Sequence, residues 1–169
     1  DKNPLKTLVR IPVVKSIIYR KLHDKLIAAF GGNLQELILG GAAVSPDVES
    51  LLRKIRFPFT VGYGMTECGP LIGYAPWNEQ RAATCGHIVD RMEIRVDSPD
   101  PRNVAGTLWV KGDNVMNGYY KNPAATEAVL GADGWMNTGD TGTIGADGLI
   151  SIRAVSYTHL RAHETVLDL

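Results

Sequence analysis

The chain has 169 residues, 44% of them hydrophobic, and its 18 Lys plus Arg balance 18 Asp plus Glu for a net charge of zero. This supports one domain or two small lobes with a packed interior; it excludes wholesale disorder and a global field that would recruit nucleic acid. No run of about 18 apolar residues reads as a membrane span.

The two cysteines, Cys68 and Cys85, stand apart in no metal-ligand spacing. That pattern fits free thiols in a reducing compartment and so a cytoplasmic protein. The sequence opens on Asp1 without a signal pattern and reads as a piece of a longer chain. Residues 13–30 predict an amphipathic helix, because Val14, Ile17, Ile18, Leu22, Leu26, Ile27 and Phe30 recur at three- and four-residue steps. Gly31-Gly32 stops it. The run LQELILGG (34–41) predicts a buried strand entering a glycine turn. A second helix is expected from Pro46 to about Arg56, with Ser45 as its N-cap. Asp47 and Glu49 stand at its positive end, and Arg53, Lys54 and Arg56 at its negative end. FPFTVGYG then predicts a second short strand. The order helix, strand, helix, strand implies parallel pairing in an α/β layer over 1–75.

Beyond about Pro76 the texture changes. MEIRVDS (92–98), GTLWVKG (106–112), GWMNTGD (134–140) and GLISIR (148–153) read as short strands separated by turn clusters such as SPDP and GADG. Residues 76–153 therefore predict a small β-rich, barrel-like lobe. One short helix interrupts it, starting at Pro123, filling Ala124 to Leu130 and ending at Gly131.

Generic motifs contribute little. GYGMTECG has Gly62 and Gly64 but Glu67 where the dinucleotide fingerprint needs its third glycine, and no GK[ST] of a phosphate loop occurs. His159 and His163 are four apart, yet no Glu follows His159 as a zinc protease requires. The ordered series is the stronger signal: GGAA (40–43), GYGMTE (62–67), GTLWVKG (106–112), GYYKNPAAT (118–126) and GWMNTGD (134–140). In this order and spacing the chain closely resembles the adenylate-forming acyl-CoA synthetases, the superfamily of firefly luciferase and nonribosomal-peptide adenylation domains. Over about residues 20–153 it is most similar to the long-chain fatty acyl-CoA ligases, through GGAAVSPDVESLLRKI, FTVGYGMTECGP and VMNGYYKNPAATEAVL.

The resemblance implies joining of a fatty acid to ATP as acyl-AMP, then transfer to coenzyme A. ATP or AMP, Mg²⁺ and coenzyme A are the expected cofactors and co-substrates. Gly41, Ala42 and Ala43 would form the adenine rim, where small residues let backbone approach the base. Tyr63 would stack on adenine, a contact on the order of 1–3 kcal/mol by analogy with aromatic stacking on bases. Gly64 and Met65 would present slim backbone beside the nucleotide. Thr66 would donate to the α-phosphate and Glu67 would ligate magnesium, which makes these two the expected catalytic residues. Asp140, in Thr138-Gly139-Asp140, would take both ribose hydroxyls. As ordinary structure, the same residues read as a strand-to-helix turn, a core tyrosine, a Thr66 helix cap and a turn aspartate. Tyr119 and Tyr120 are expected to be packing residues, and Lys111 to shape the β-rich lobe.

The resemblance has edges. The family's Ser/Thr/Gly-rich phosphate loop is expected upstream, and the small domain carrying its lysine downstream. After GLISIR the family continues Gly-Arg, whereas Ala154 and Val155 stand here and the tail 154–169 follows no family pattern. Arg153 precedes the expected arginine position and is not given its role. Amino- or aryl-acid activation, and nucleotide binding without turnover, are the alternative readings. Family members often work near membranes, so peripheral association is a further expectation.

Overall fold

The computed structural model describes residues 12–154. His159, His163 and the tail from Val155 lie outside the described residues. The elements run α1 (Pro12–Ala29), β1 (Leu37–Leu39), α2 (Pro46–Lys54), β2 (Phe59–Val61), β3 (Tyr63–Gly64), a 3₁₀ turn (Thr66–Cys68), β4 (Leu71–Tyr74), β5 (His87–Ile88), β6 (Met92–Asp97), β7 (Gly106–Gly112), α3 (Pro123–Val129), β8 (Met136–Ile144) and β9 (Ile150–Ala154).

The first part is a small parallel unit. β1 and β2 pair in parallel, Leu37 opposite Phe59 and Leu39 opposite Val61, as the order of elements implied. Ile55, Phe57 and Phe59 form its buried centre, with Tyr19, Leu26 and Ile27 of α1 half-buried against it. Two expectations are corrected here. The strand expected over 34–41 is only three residues long, and it is not buried: Ile38 is 51% exposed. In α1, Val13, Ile17 and Leu22 also face outward, as does Phe30 just past its end, because this small centre covers only part of the apolar stripe. Ser45 holds the N-cap position of α2 as expected, but its side chain makes no capping hydrogen bond. At the other end of α2, Arg56 sits at φ +55°, a left-handed position where glycine is usual and other residues carry a cost of roughly 1–2 kcal/mol.

The second part is antiparallel. One sheet has the order β3-β4-β5 and the other β6-β7-β8-β9. They join edge to edge: the Cys85 amide donates to the Ile150 carbonyl and the Ile150 amide to the Gly86 carbonyl, both at 2.8 Å. The lobe is thus a curved wall, and among the described residues no ladder closes it into a complete barrel. All four runs predicted as strands after Pro76 appear as β6, β7, β8 and β9; β4 and β5 were not predicted. The core of this lobe combines Tyr63, Cys68 and Ile72 with Met92, Val96, Leu108, Val110 and Met136. The division between cores therefore falls just before Tyr63, ahead of the expected change near residue 76. α3 matches its prediction within a residue, and the Asn122 side chain caps it by accepting from the Ala125 amide at 3.1 Å.

Candidate active site

The parallel strands β1 and β2 end together, and open α/β sheets bind ligands beyond such carboxyl ends. Beyond β1 lies the exposed loop Gly41, Ala42 and Ala43. Beyond β2, the Gly62 amide donates to the Leu39 carbonyl at 2.8 Å, tying the two ends together. The chain then enters Tyr63, so the expected adenine rim and the expected stacking tyrosine share one edge.

The turn after Tyr63 is fixed by close backbone approach. A Cβ on Gly64 would collide with the Pro70 carbonyl, and that carbonyl accepts the Met65 amide at 2.8 Å. Met65 is half-buried against the core. Met65, not Thr66, takes the cap position of the 3₁₀ turn. Thr66 is exposed, and its hydroxyl is not used for capping. Glu67 follows, half-buried.

Asp140 arrives from β8. Its alternation buries Met136, Thr138 and Asp140 on one face, so the carboxyl group points into the wall. There the Tyr63 hydroxyl donates to Asp140 Oδ2 at 2.7 Å, across 77 positions of sequence. Asp140 is 4% exposed and Tyr63 6%. Burial pushes the Tyr63 phenol well above its usual range; a hydrogen bond with Thr138 opposes this and the nearby Asp140 charge adds to it. In this arrangement most of the tyrosine ring is covered by protein.

Sequence reasoning missed the loop that follows β7. The Tyr119 hydroxyl donates to Glu67 Oε1 at 2.8 Å, so Tyr119 belongs to the site. Burial and this bond push its phenol up to about 12. Tyr120, also expected to pack, is 88% exposed. The pair stands at a turn, where the Asn122 amide donates to the Tyr119 carbonyl at 3.1 Å, and no local pattern says which ring faces inward. The Met116 amide donates to the Glu67 carbonyl at 2.8 Å. Asn114 Nδ2 donates to the carbonyls of Cys68 at 2.6 Å and Leu71 at 3.0 Å.

Among the described residues no cluster of three His, Cys, Asp or Glu could cage a metal ion. Magnesium does not require one, since it is commonly held by one or two carboxylates plus substrate phosphates and water. One half-buried carboxylate beside an exposed threonine fits an ion that arrives with a nucleotide.

A family model described as AMP-binding enzyme matches residues 8–120. Long chain acyl-CoA synthetase 1 of Arabidopsis thaliana is 38% identical over 151 residues, covering 83% of this chain and 22% of its own. 4-Coumarate-CoA ligase 2 of Narcissus pseudonarcissus is 32% identical over 149 residues, covering 80% of this chain and 26% of its own. The chain thus spans about a quarter of the length of these curated relatives. In fold it is similar to o-succinylbenzoate CoA synthetase of Bacillus subtilis, with a TM-score of 0.67 at 23% identity over 79% of this chain and 30% of that one. That enzyme has also been solved with ATP and magnesium ion. The family model and the identity to these curated ligases lead to one assignment: this chain belongs to the AMP-binding enzyme family, the adenylate-forming acid–CoA ligase superfamily.

Proposed function

We propose that this chain supplies the nucleotide-facing part of a cytoplasmic ligase that activates a long-chain fatty acid as acyl-AMP and passes it to coenzyme A. The observation that carries the reading is the meeting of Tyr63 and Asp140 at 2.7 Å, next to the turn that holds Thr66 and Glu67. Asp140 is thereby brought across 77 positions of sequence to the tyrosine that shortly precedes Thr66 and Glu67, and the chemistry of this set of groups suits a nucleotide. Similarity to a long-chain acyl-CoA synthetase at 38% identity supports the choice of acid.

In this reading Gly41, Ala42 and Ala43 border the base. Asp140 exchanges the Tyr63 hydroxyl for the ribose diol, and the freed ring turns its face to adenine. Thr66 donates to the α-phosphate, where charge shifts during attack. Tyr119 and the Met116 amide hold Glu67 in place. Magnesium, when bound, offsets phosphate charge and orients the oxygens around the reacting centre. The chain's own contribution is orientation and charge stabilisation, with no covalent intermediate on a side chain. Peripheral contact with a membrane belongs to the same proposal.

A second reading, activation of an aryl acid, has support in the 32% identity to a 4-coumarate ligase. ATP–pyrophosphate exchange by a longer chain that includes residues 1–169 separates the two. The proposal expects exchange with palmitate well above that with 4-coumarate. It also expects Glu67→Ala and Asp140→Ala each to lower exchange on the order of a hundredfold, the loss typical of removing an oriented charge contact. Preference for 4-coumarate would favour the second reading. Undiminished exchange in both variants would overturn the site.

A further inference from the structure

A concavity separate from the residues of the nucleotide reading opens on the parallel unit. It has a volume of about 590 Å³ and lies between α1 and the end of α2. Lys15, Arg20 and His23 line it from α1, and Lys54, Ile55 and Arg56 from the end of α2. Among the described residues no carboxylate lines it, and none of the residues placed around the nucleotide does either.

The cations here differ from their neighbour. Arg53 is occupied by Glu49 at 2.8 Å and by the Gln80 carbonyl at 2.8 Å. Among the described residues, Lys15, Arg20, Lys54 and Arg56 make no ion pair. The negative end of α2 accounts for a basic residue at Lys54. It extends to Arg56 just past the helix end, but does not account for Lys15 and Arg20, which come from another helix. Arg56 holds a left-handed backbone where glycine would be unstrained, as Ala83, Arg91 and Lys121 also do. His23 Nδ1 donates to the Ile55 carbonyl at 3.1 Å, which fixes the ring at the cavity wall. Four mutually repelling cations around one hollow are stabilised by an anion of several charges, and guanidinium groups match phosphate oxygens in pairs.

We propose that this hollow binds a soluble polyphosphate group, at a place separate from the nucleotide site. The inference stands whether or not the ligase reading does. Calorimetric titration of the 169-residue chain with pyrophosphate, at low and at physiological salt, tests it together with amide chemical-shift mapping. The expected result is saturable binding weakened by salt, with shifts centred on residues 15–23 and 54–56. Arg56→Gly relieves the backbone strain, so its fold is retained, and binding is expected to weaken about tenfold, as for loss of one charge-assisted contact. Arg20→Gln should weaken it similarly, and Arg102→Gln in a distant exposed turn should not. Three outcomes overturn the proposal: no binding, shifts confined to residues 63–67, or unchanged affinity in both cavity variants. Binding to phosphatidylglycerol vesicles in place of pyrophosphate would also overturn it, since the ligand would then be a lipid surface.

Discussion

A carboxyl group 4% exposed needs donors close by, and Asp140 receives one from the Tyr63 hydroxyl at 2.7 Å. Tyr63→Phe strips that bond from a buried acceptor, so chemical denaturation should show a loss of about 1–3 kcal/mol. Four groups around the wall also make its stability sensitive to alkali. Burial, with Glu67 nearby, pushes the Cys68 thiol up to about 12; burial likewise pushes Cys85 up to about 11. Tyr119 is pushed up to about 12 and Tyr63 is raised as well. In each case the folded chain holds its proton longer than the unfolded chain does. The contribution is complete below the unfolded values, near 9 for the thiols and 10 for the phenols, and is lost as pH rises through the folded ones. Stability should therefore start to fall near pH 9, by up to about 1.4 kcal/mol per pH unit for each fully buried group. A Cys68→Ala/Cys85→Ala double variant should move the onset to about pH 10, which melting curves across pH would reveal. At this scale the sequence showed which residue types gather, but not how they pair. Tyr63 read as a ring for stacking, while the structure uses its hydroxyl. Such a bond depends on two strands meeting, which no local pattern encodes.

Among the elements, the segment between β7 and α3 acts as a strap over the 3₁₀ turn. Asn114 takes two carbonyls, the Met116 amide takes a third, and Tyr119 reaches the Glu67 side chain. Asn114→Ala leaves the Cys68 and Leu71 carbonyls without that donor, and should cost about 1–3 kcal/mol by denaturation. Gly64→Ala acts on the same turn from the other side. Its methyl would meet the rigid Pro70 carbonyl, so a loss of at least about 1–3 kcal/mol is expected, with a lower melting temperature as the check. Strands with clear alternation were legible. GTLWVKG was placed residue for residue at β7, where Leu108 and Val110 alternate into the core. β4 was not, because Leu71-Ile72-Gly73-Tyr74 follows Gly69-Pro70 and carries its own glycine, a composition that reads as a turn. β1 failed in the other direction. Its apolar run promised burial, and burial depends on what lies across from it.

Over the whole molecule the two cores are unequal. The antiparallel wall buries eight apolar residues together, five of them fully: Cys68, Ile72, Leu108, Val110 and Met136. The parallel unit buries three, with half-exposed partners around them. The joints between the parts are mainly polar: Glu36 accepts from the Tyr74 hydroxyl and the Trp77 amide, each at 2.6 Å, and Thr60 Oγ1 donates to the Ala75 carbonyl at 2.7 Å. Hydrophobic stabilisation scales with apolar area removed from water, so the parallel unit has less to oppose its opening. Polar joints exchange readily for water and do little to couple the two openings. The parallel unit should therefore open on its own, below the free energy of global unfolding. Native-state hydrogen exchange provides the measurement. Amides of β7 and β8, at Leu108, Val110 and Thr138, should be the slowest, and those of β1 and β2 faster on the order of a hundredfold. Adding mild denaturant should close the gap, because only the wall's exchange runs through global unfolding. Equal protection in both parts from the outset would mean that the polar joints bind them into one cooperative unit.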